Sequence, residues 1–268
     1  MTGIYILLGF VVLVFLFFVV RGAMTRSRRS DLLKLRLSDA QRSSIAEDFP
    51  LFARIPSRLR DQLEGIMHVF LEEKSFEPCG GIGSITEQMR YVIAAQACLL
   101  LVNRKHDYYR SLRSILLYPS AYKAESGHGD HSVRLGESWG SGSVVLAWDS
   151  VVAGGCNQED GHHVTLHEFA HQLDQVDGVA DGVPELHGSG SYRAWAKDFS
   201  EAYDKFTRKL GRGKRTVIDD YGATNPAEFF AVATETFYEK PKQLRKQYPD
   251  LYQQLKGYYQ VDPLDWDV

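Results

Sequence analysis

The chain has 268 residues, with 31 Lys and Arg against 34 Asp and Glu and a hydrophobic fraction of 44%. That composition excludes a disordered, collagen-like or low-complexity chain, and a net charge of −3 does not suit the basic footprint of a nucleic-acid-binding domain. Cys79, Cys98 and Cys156 are too few and too scattered for a disulfide framework or a Cys-rich zinc site.

The apolar residues are unevenly spread. Met1 to Val20 holds no charged residue, and about 20 helical residues span about 30 Å, the hydrocarbon thickness of a bilayer. No Lys or Arg precedes the run, unlike a cleaved signal peptide, whereas Arg21, Arg26, Arg28 and Arg29 follow it. By the positive-inside rule the C-terminal side stays cytoplasmic. Residues 1–21 are therefore expected to be a single-pass membrane anchor. Residues 22–48 are expected to form a basic juxtamembrane linker or short surface helix, able to touch anionic lipid at about 1 kcal/mol per basic residue. Residues 49–268 then form one globular domain. The first 48 residues carry seven Lys and Arg against four Asp and Glu, so the domain has a net charge of −6 and should tend to stand off an anionic surface.

Arg58–Phe76 is amphipathic at helical spacing, with Leu59, Leu63, Ile66, Phe70 and Leu71 on one face. Met89–Val102 reads as a buried helix. Short strands are expected at SILLYP (Ser114–Pro119) and SVVLAW (Ser143–Trp148), and the pattern beyond Gly161 is mostly helical. SVVLAW is either a plain core strand or an edge to which an extended peptide could add.

The chemistry concentrates at His167–His171, which reads HEFAH. Chance yields HExxH in about 2% of shuffled sequences of this composition, so the motif needs its context. On a helix, positions i and i+4 place both imidazoles on one face, as two nitrogen ligands of a tetrahedral Zn²⁺ require. Glu168 is then placed to accept a proton rather than to bind metal. Catalytic zinc sites take a third protein ligand. Asp177 stands where the HExxHxxGxxH/D pattern puts one, but Asp174 replaces the Gly of that turn. Glu228, in YGATNPAEFFAVATETFYEKP, is the other candidate. Asn225 and Pro226 read as N-cap and N1 of a new helix, with Glu228 in its first turn and Glu235 on the same face. Glu228 could equally close a capping box on Asn225.

HEFAHQLD, DDYGATNPAEFFAVATETFYEKP and YPDLYQQLKGYYQVDPL, with LLYPSAY and GSVVLAW ahead of them, together resemble the Mlc titration factor A family of zinc metallopeptidases over about residues 49–268. The resemblance implies an α+β zincin-type domain, its HExxH helix beside a small sheet and its C-terminal part mostly helical, here behind one transmembrane helix. It implies one Zn²⁺ per chain on His167, His171 and Glu228, with Glu168 as catalytic base, and it favours Glu228 over Asp177. It also implies a gluzincin-like hydrolase of peptide or protein substrates, working on short peptides or, as an aminopeptidase, on peptide ends. Tyr221, matching a Tyr of that pattern, is the candidate donor to the developing oxyanion.

Asp174 either orients a ligand imidazole or is an exposed helix-end carboxylate, and Glu235 either orients an imidazole or pairs with a buried cation. His162 and His163 read as flanking residues, and His128 and His131 as solvated loop residues. Nothing in the sequence marks a repressor-binding surface. A membrane-tethered binding protein whose zinc site shapes a surface for a regulatory protein partner is the alternative reading.

Overall fold

The structure, a computed structural model, describes residues 2–120, 122–123, 133–134, 136–139, 142–186 and 189–266. His128 and His131 lie outside the described residues. Helix α1 (Thr2–Leu32) runs from the apolar segment through the basic cluster without a break. It is long and apolar enough to cross a membrane, and its described large apolar side chains from Tyr5 to Met24 are exposed. Helix α2 (Asp39–Asp48) starts at a capping box, in which Ser38 and Gln41 satisfy each other's backbone amides. Leu37 and Ile45 are buried, so the stretch expected as a linker packs on the domain from about Leu33 onward.

Helices α3 (Leu51–Arg54) and α4 (Ser57–Glu73) follow, then strand β1 (Ser75–Pro78). Leu63, Ile66 and Phe70 are buried as their spacing predicts, with Leu59 and Leu71 partly buried. The helix stops at Glu73 rather than Phe76, because Lys74 and Ser75 turn extended into β1. Helix α5 (Glu87–Leu99), capped by the Thr86 hydroxyl, carries the chain back to β2 (Ser114–Tyr118). Beyond it lie β3 (Tyr122–Lys123), β4 (Val133–Arg134), β5 (Gly136–Trp139) and β6 (Ser143–Ala147).

The main sheet has the order β1-β2-β6-β5, with the first three strands parallel and β5 antiparallel to β6. Ser75, Ser114 and Ser143 stand in register across the parallel strands. SVVLAW is therefore an interior strand, with β2 on one side and β5 on the other, and it offers no free edge. Its nearly continuous burial is what a strand covered on both faces shows. The edge positions belong to β1 and β5, the second of which the polar GESW stretch did not signal.

Helices α6 (Trp148–Cys156), α7 (Val164–Asp174) and α8 (Ser189–Leu210) precede α9 (Pro226–Glu239), α10 (Pro241–Gln247) and α11 (Pro249–Tyr259). Each of the last three begins on a proline, whose missing amide hydrogen is not needed in a first turn. An aromatic cluster of Trp195, Phe199, Phe206, Phe229, Phe230 and Tyr258 locks α8 and α11 onto one side of α9, each buried ring contributing roughly 1.5–3 kcal/mol by area. The other side of α9 meets α7, and the polar residues gather along that seam.

Candidate metal centre

Helix α7 is VTLHEFAHQLD, with Leu166, Phe169, Ala170 and Leu173 buried in the core. Tyr109 packs edge-on against Phe169 at 5.0 Å, and Phe70 lies 5.7 Å from the same ring. Those contacts fix the helix about its axis and turn His167 and His171 toward α9. Helix α9 is fixed by its own N-terminus: the Asn225 side chain accepts from the Glu228 amide at 2.9 Å, and Pro226 occupies the first turn. Asn225 caps the helix, while the Glu228 carboxylate turns to the imidazoles instead of closing a capping box.

Three atoms converge. Glu228 Oε2 lies 3.0 Å from His167 Nε2 and 3.3 Å from His171 Nε2, and the two nitrogens are 3.2 Å apart. Ligands about 2.0–2.1 Å from a tetrahedral Zn²⁺ are separated by roughly 3.3–3.4 Å, so the triangle has the size such an ion needs. Among the described residues this is the one His/Cys/Asp/Glu group that meets the geometry of a metal site. Glu235 Oε1 lies 2.8 Å from His167 Nδ1, and its second oxygen accepts the His163 backbone amide. A hydrogen on Nδ1 directed at Glu235 leaves the Nε2 lone pair facing the triangle, the tautomer a metal ligand requires.

The electrostatics agree. Burial disfavours the His167 imidazolium, yet hydrogen bonds with Glu228 and Glu235 outweigh it and hold its pKa well above the ordinary value. Burial opposes the Glu228 charge too, but the two imidazoles overcome it and draw its pKa down to about 2. Both shifts say that the triangle stabilises positive charge between its members. A divalent cation bound there would compete with protons for that place.

Glu168 is buried beside the first imidazole, with 5% of its surface exposed. Tyr221, in the turn Asp220–Ala223, is 54% exposed with its ring centre 5.9 Å from that of His167. Asp177 is exposed in the turn after α7 and accepts the Val179 amide at 3.0 Å, away from the triangle. Asp174 is neither exposed nor bonded to an imidazole. It is 1% exposed, accepts the Gly182 amide at 2.9 Å, and burial pushes its carboxyl up to about 6.

His162 is exposed, 3.4 Å from Asp219, the residue that caps the Tyr221 turn. His163 is buried as the N-cap of α7 and held neutral by burial, its pKa lowered to about 3. Histidine is not among the preferred caps, so the sequence carried no signal for that role.

One contributor escaped the sequence reading altogether. Gly182 has φ +79°, and a Cβ there would stand 2.5 Å from the Pro226 carbonyl oxygen. Its amide binds Asp174 and its carbonyl accepts Trp195 Nε1 at 3.0 Å. The loop after α7 is thereby riveted to the first residue of the helix that carries Glu228.

At the seam of two helices, two imidazoles and a carboxylate face one another in a group that could hold a metal ion. The sequence model of the glucose-regulated metallo-peptidase M90 family matches residues 23–260, and the chain belongs to that family. Among its relatives is the uncharacterized protein slr2042 of Synechocystis sp., 39% identical over 246 residues covering 88% of this chain and 89% of that one. Mlc titration factor A of Serratia proteamaculans is 31% identical over 226 residues, covering 80% and 85%. The Mlc titration factor A of Yersinia pestis is 28% identical over 230 residues, covering 82% and 84%. These relatives bear out the family resemblance read from the sequence.

Proposed function

We propose that this metallopeptidase uses one zinc ion, held by His167, His171 and Glu228, and acts on peptides at the cytoplasmic face of a membrane. The observation that carries the reading is the triangle of two imidazole nitrogens and a carboxylate oxygen, 3.0–3.3 Å apart. A zinc ion held by these residues would supply Lewis acidity to a peptide carbonyl and would lower the pKa of a bound water toward 7. Glu168 accepts the proton of the attacking water and passes it to the leaving amine. Tyr221 donates a hydrogen bond to the oxygen on which negative charge develops. Glu235 holds His167 in its ligand tautomer.

The anchor rests on residues 1–21, whose described large apolar side chains, from Tyr5 to Val20, are exposed, and on the arginines that follow. The basic stretch 22–48 joins it to the peptidase domain. The reading as a gluzincin-like enzyme rests on the third ligand being a carboxylate from a second helix, and aminopeptidase action on peptide ends is one activity such a site could serve.

The test is metal analysis of the full chain in detergent, with cleavage of a peptide library. Wild type should hold one zinc and cleave, while Glu168→Gln should hold zinc and not cleave. Full cleavage by that variant would sink the mechanism. The titration-factor name of two relatives favours a second reading, a membrane-tethered regulator that captures a protein partner. Partner capture that survives Glu168→Gln, in a chain whose wild type cleaves nothing, would establish that reading instead.

A further inference from the structure

Away from the metal centre, α1 meets the domain through a built contact. Arg29 makes a two-pronged ion pair with Glu73 at 2.6 and 2.8 Å, Arg28 pairs with Glu72, and Gly65 packs directly against the backbone of Leu33. Pairing 65 with 33 and 73 with 29 makes α4 antiparallel to α1, so the C-terminal end of α4 points toward the apolar segment. Arg29 lies nine residues beyond Val20, about 13 Å along the helix. A bilayer's polar zone is roughly 5–8 Å deep on each side, so this end of the domain stands within side-chain reach of the headgroups.

The loop 103–113 starts at Gln62, whose side-chain oxygen accepts the Asn103 amide at 3.0 Å, and its later residues, from Tyr108 to Arg113, cover that end. The Arg29 guanidinium sits 4.4 Å over the Tyr108 ring. Buried Lys74 donates to the carbonyls of Tyr109 and Leu112 at 2.6 and 2.8 Å, and the Ser75 amide donates to that of Arg113 at 2.9 Å. Asn103, Tyr108 and Tyr109 hold φ of +59°, +63° and +54°, a conformation that survives only where surrounding contacts over-determine it. The loop is thus held in one shape, and it presents Lys105, Arg110 and Arg113 to solvent. Asp107, the one acidic residue of the loop, accepts the Arg110 amide at 3.3 Å.

We propose that loop 103–113 is a second membrane contact, a rigid basic face that α1 and its Arg29–Glu73 clamp set against anionic lipid headgroups. This rests on the proposal that α1 crosses the bilayer. The domain as a whole is acidic, so the contact selects one face: the rest is repelled and this loop is drawn in. The enzyme then works in a fixed attitude to the membrane rather than swinging on a tether.

The test uses the full chain reconstituted in phosphatidylcholine vesicles, with or without phosphatidylglycerol. A polarity-sensitive dye is placed on Ser111→Cys or on Arg58→Cys, with Cys79 and Cys156 replaced by serine and the buried Cys98 left. Residue 58 lies at the opposite end of α4, about 22 Å away along the helix. The Ser111 dye should shift to the blue on anionic vesicles by about twice its shift on neutral ones or more, weakening as salt screens the surface. The Arg58 dye should stay as it is in water. Lys105→Glu/Arg110→Glu/Arg113→Glu should abolish the Ser111 shift while the chain still floats with the vesicles. Arg29→Glu should weaken it, and Arg29→Glu/Glu73→Arg should restore at least part. A Ser111 dye that stays water-exposed on a chain that floats overturns the contact and leaves the anchor standing. A chain that does not float overturns the anchor and this proposal together.

Discussion

Glu64 and Glu228 are both carboxylates drawn out of water, and they are satisfied in different currencies. Glu64, 0% exposed on α4, accepts Arg42 through Nε and Nη2 at 2.7 and 3.0 Å and the Leu37 amide at 3.0 Å. Its charge is matched within the chain. At the α7–α9 seam Glu228 and Glu235 face imidazoles and a backbone amide, and among the described residues no guanidinium or ammonium is paired with either. A carboxylate balanced by arginine needs nothing further. A carboxylate opposite two imidazole lone pairs leaves room for a cation, and that difference separates a structural cluster from a chemical one.

The contrast is broken most severely at the base. Glu168→Gln is expected to lower kcat by roughly 10²–10⁴ with zinc content unchanged, measured by peptide cleavage alongside metal analysis. Next comes the paired cluster. Arg42→Ala strands a buried charge and should cost about 3 kcal/mol of unfolding free energy, read by urea denaturation, while the folded fraction keeps its zinc. Glu228→Ala should do the reverse, losing zinc with little change in the stability of the metal-free chain. If Arg42→Ala lost zinc as readily as Glu228→Ala, the two clusters would not be separable.

The supports of the centre come next in size. Glu235→Gln should weaken zinc binding by roughly 10–100-fold, measured by competition with a chromophoric chelator, because the amide no longer holds the His167 tautomer by charge. Gly182→Ala forces a left-handed alanine onto the Pro226 carbonyl, and a change of this kind costs about 1–3 kcal/mol. Because Pro226 begins α9, part of that cost should appear as weaker zinc binding. Zinc affinity equal to wild type would show that Gly182 serves the loop alone.

What the sequence disclosed follows the range of each signal. The HExxH pair is local, since an i, i+4 spacing implies one helix face whatever surrounds it. Asn225-Pro226 is local too, and it announces the start of α9 and the place of Glu228 in its first turn, though not which way its carboxylate faces. The choice between Glu228 and Asp177 is a contact between separate helices, and residue spacing left it open until the family resemblance weighed in. The place of SVVLAW in the sheet stays open in the sequence, because whether a strand is an edge depends on its neighbours, and GESW has too little apolar alternation to announce β5. Asp174 shows the same limit. Its position one turn past His171 suggested an imidazole or solvent as partner, yet the loop after α7 folds back and brings the Gly182 amide to it. The rivet at Gly182 was invisible for that reason: a glycine reads as a turn, and only the packed structure shows which carbonyl it must clear.

Glu239 supplies a third way to hold a buried carboxyl, and the last and smallest effect. It lies on α9 one turn beyond Glu235, where burial first, then the Glu235 and Asp160 carboxylates, push its pKa up to about 9 against the pull of the Gly161 amide and Lys240. Where Glu64 is held by arginine and Glu228 by imidazoles, Glu239 keeps its proton. An unfolded glutamate titrates near 4.3, so between that pH and about 9 the folded chain holds a proton the unfolded chain has released. Stability therefore falls as pH rises across this window, and the contribution is fully lost above the folded pKa. Glu239→Gln cannot ionise and should flatten that part of the profile, leaving the variant more stable than wild type at the alkaline end. Urea denaturation of both chains across the window reads the difference. An unchanged slope would mean that Glu239 is ionised in the fold, and that the seam carries one more uncompensated negative charge beside His167, His171 and Glu228.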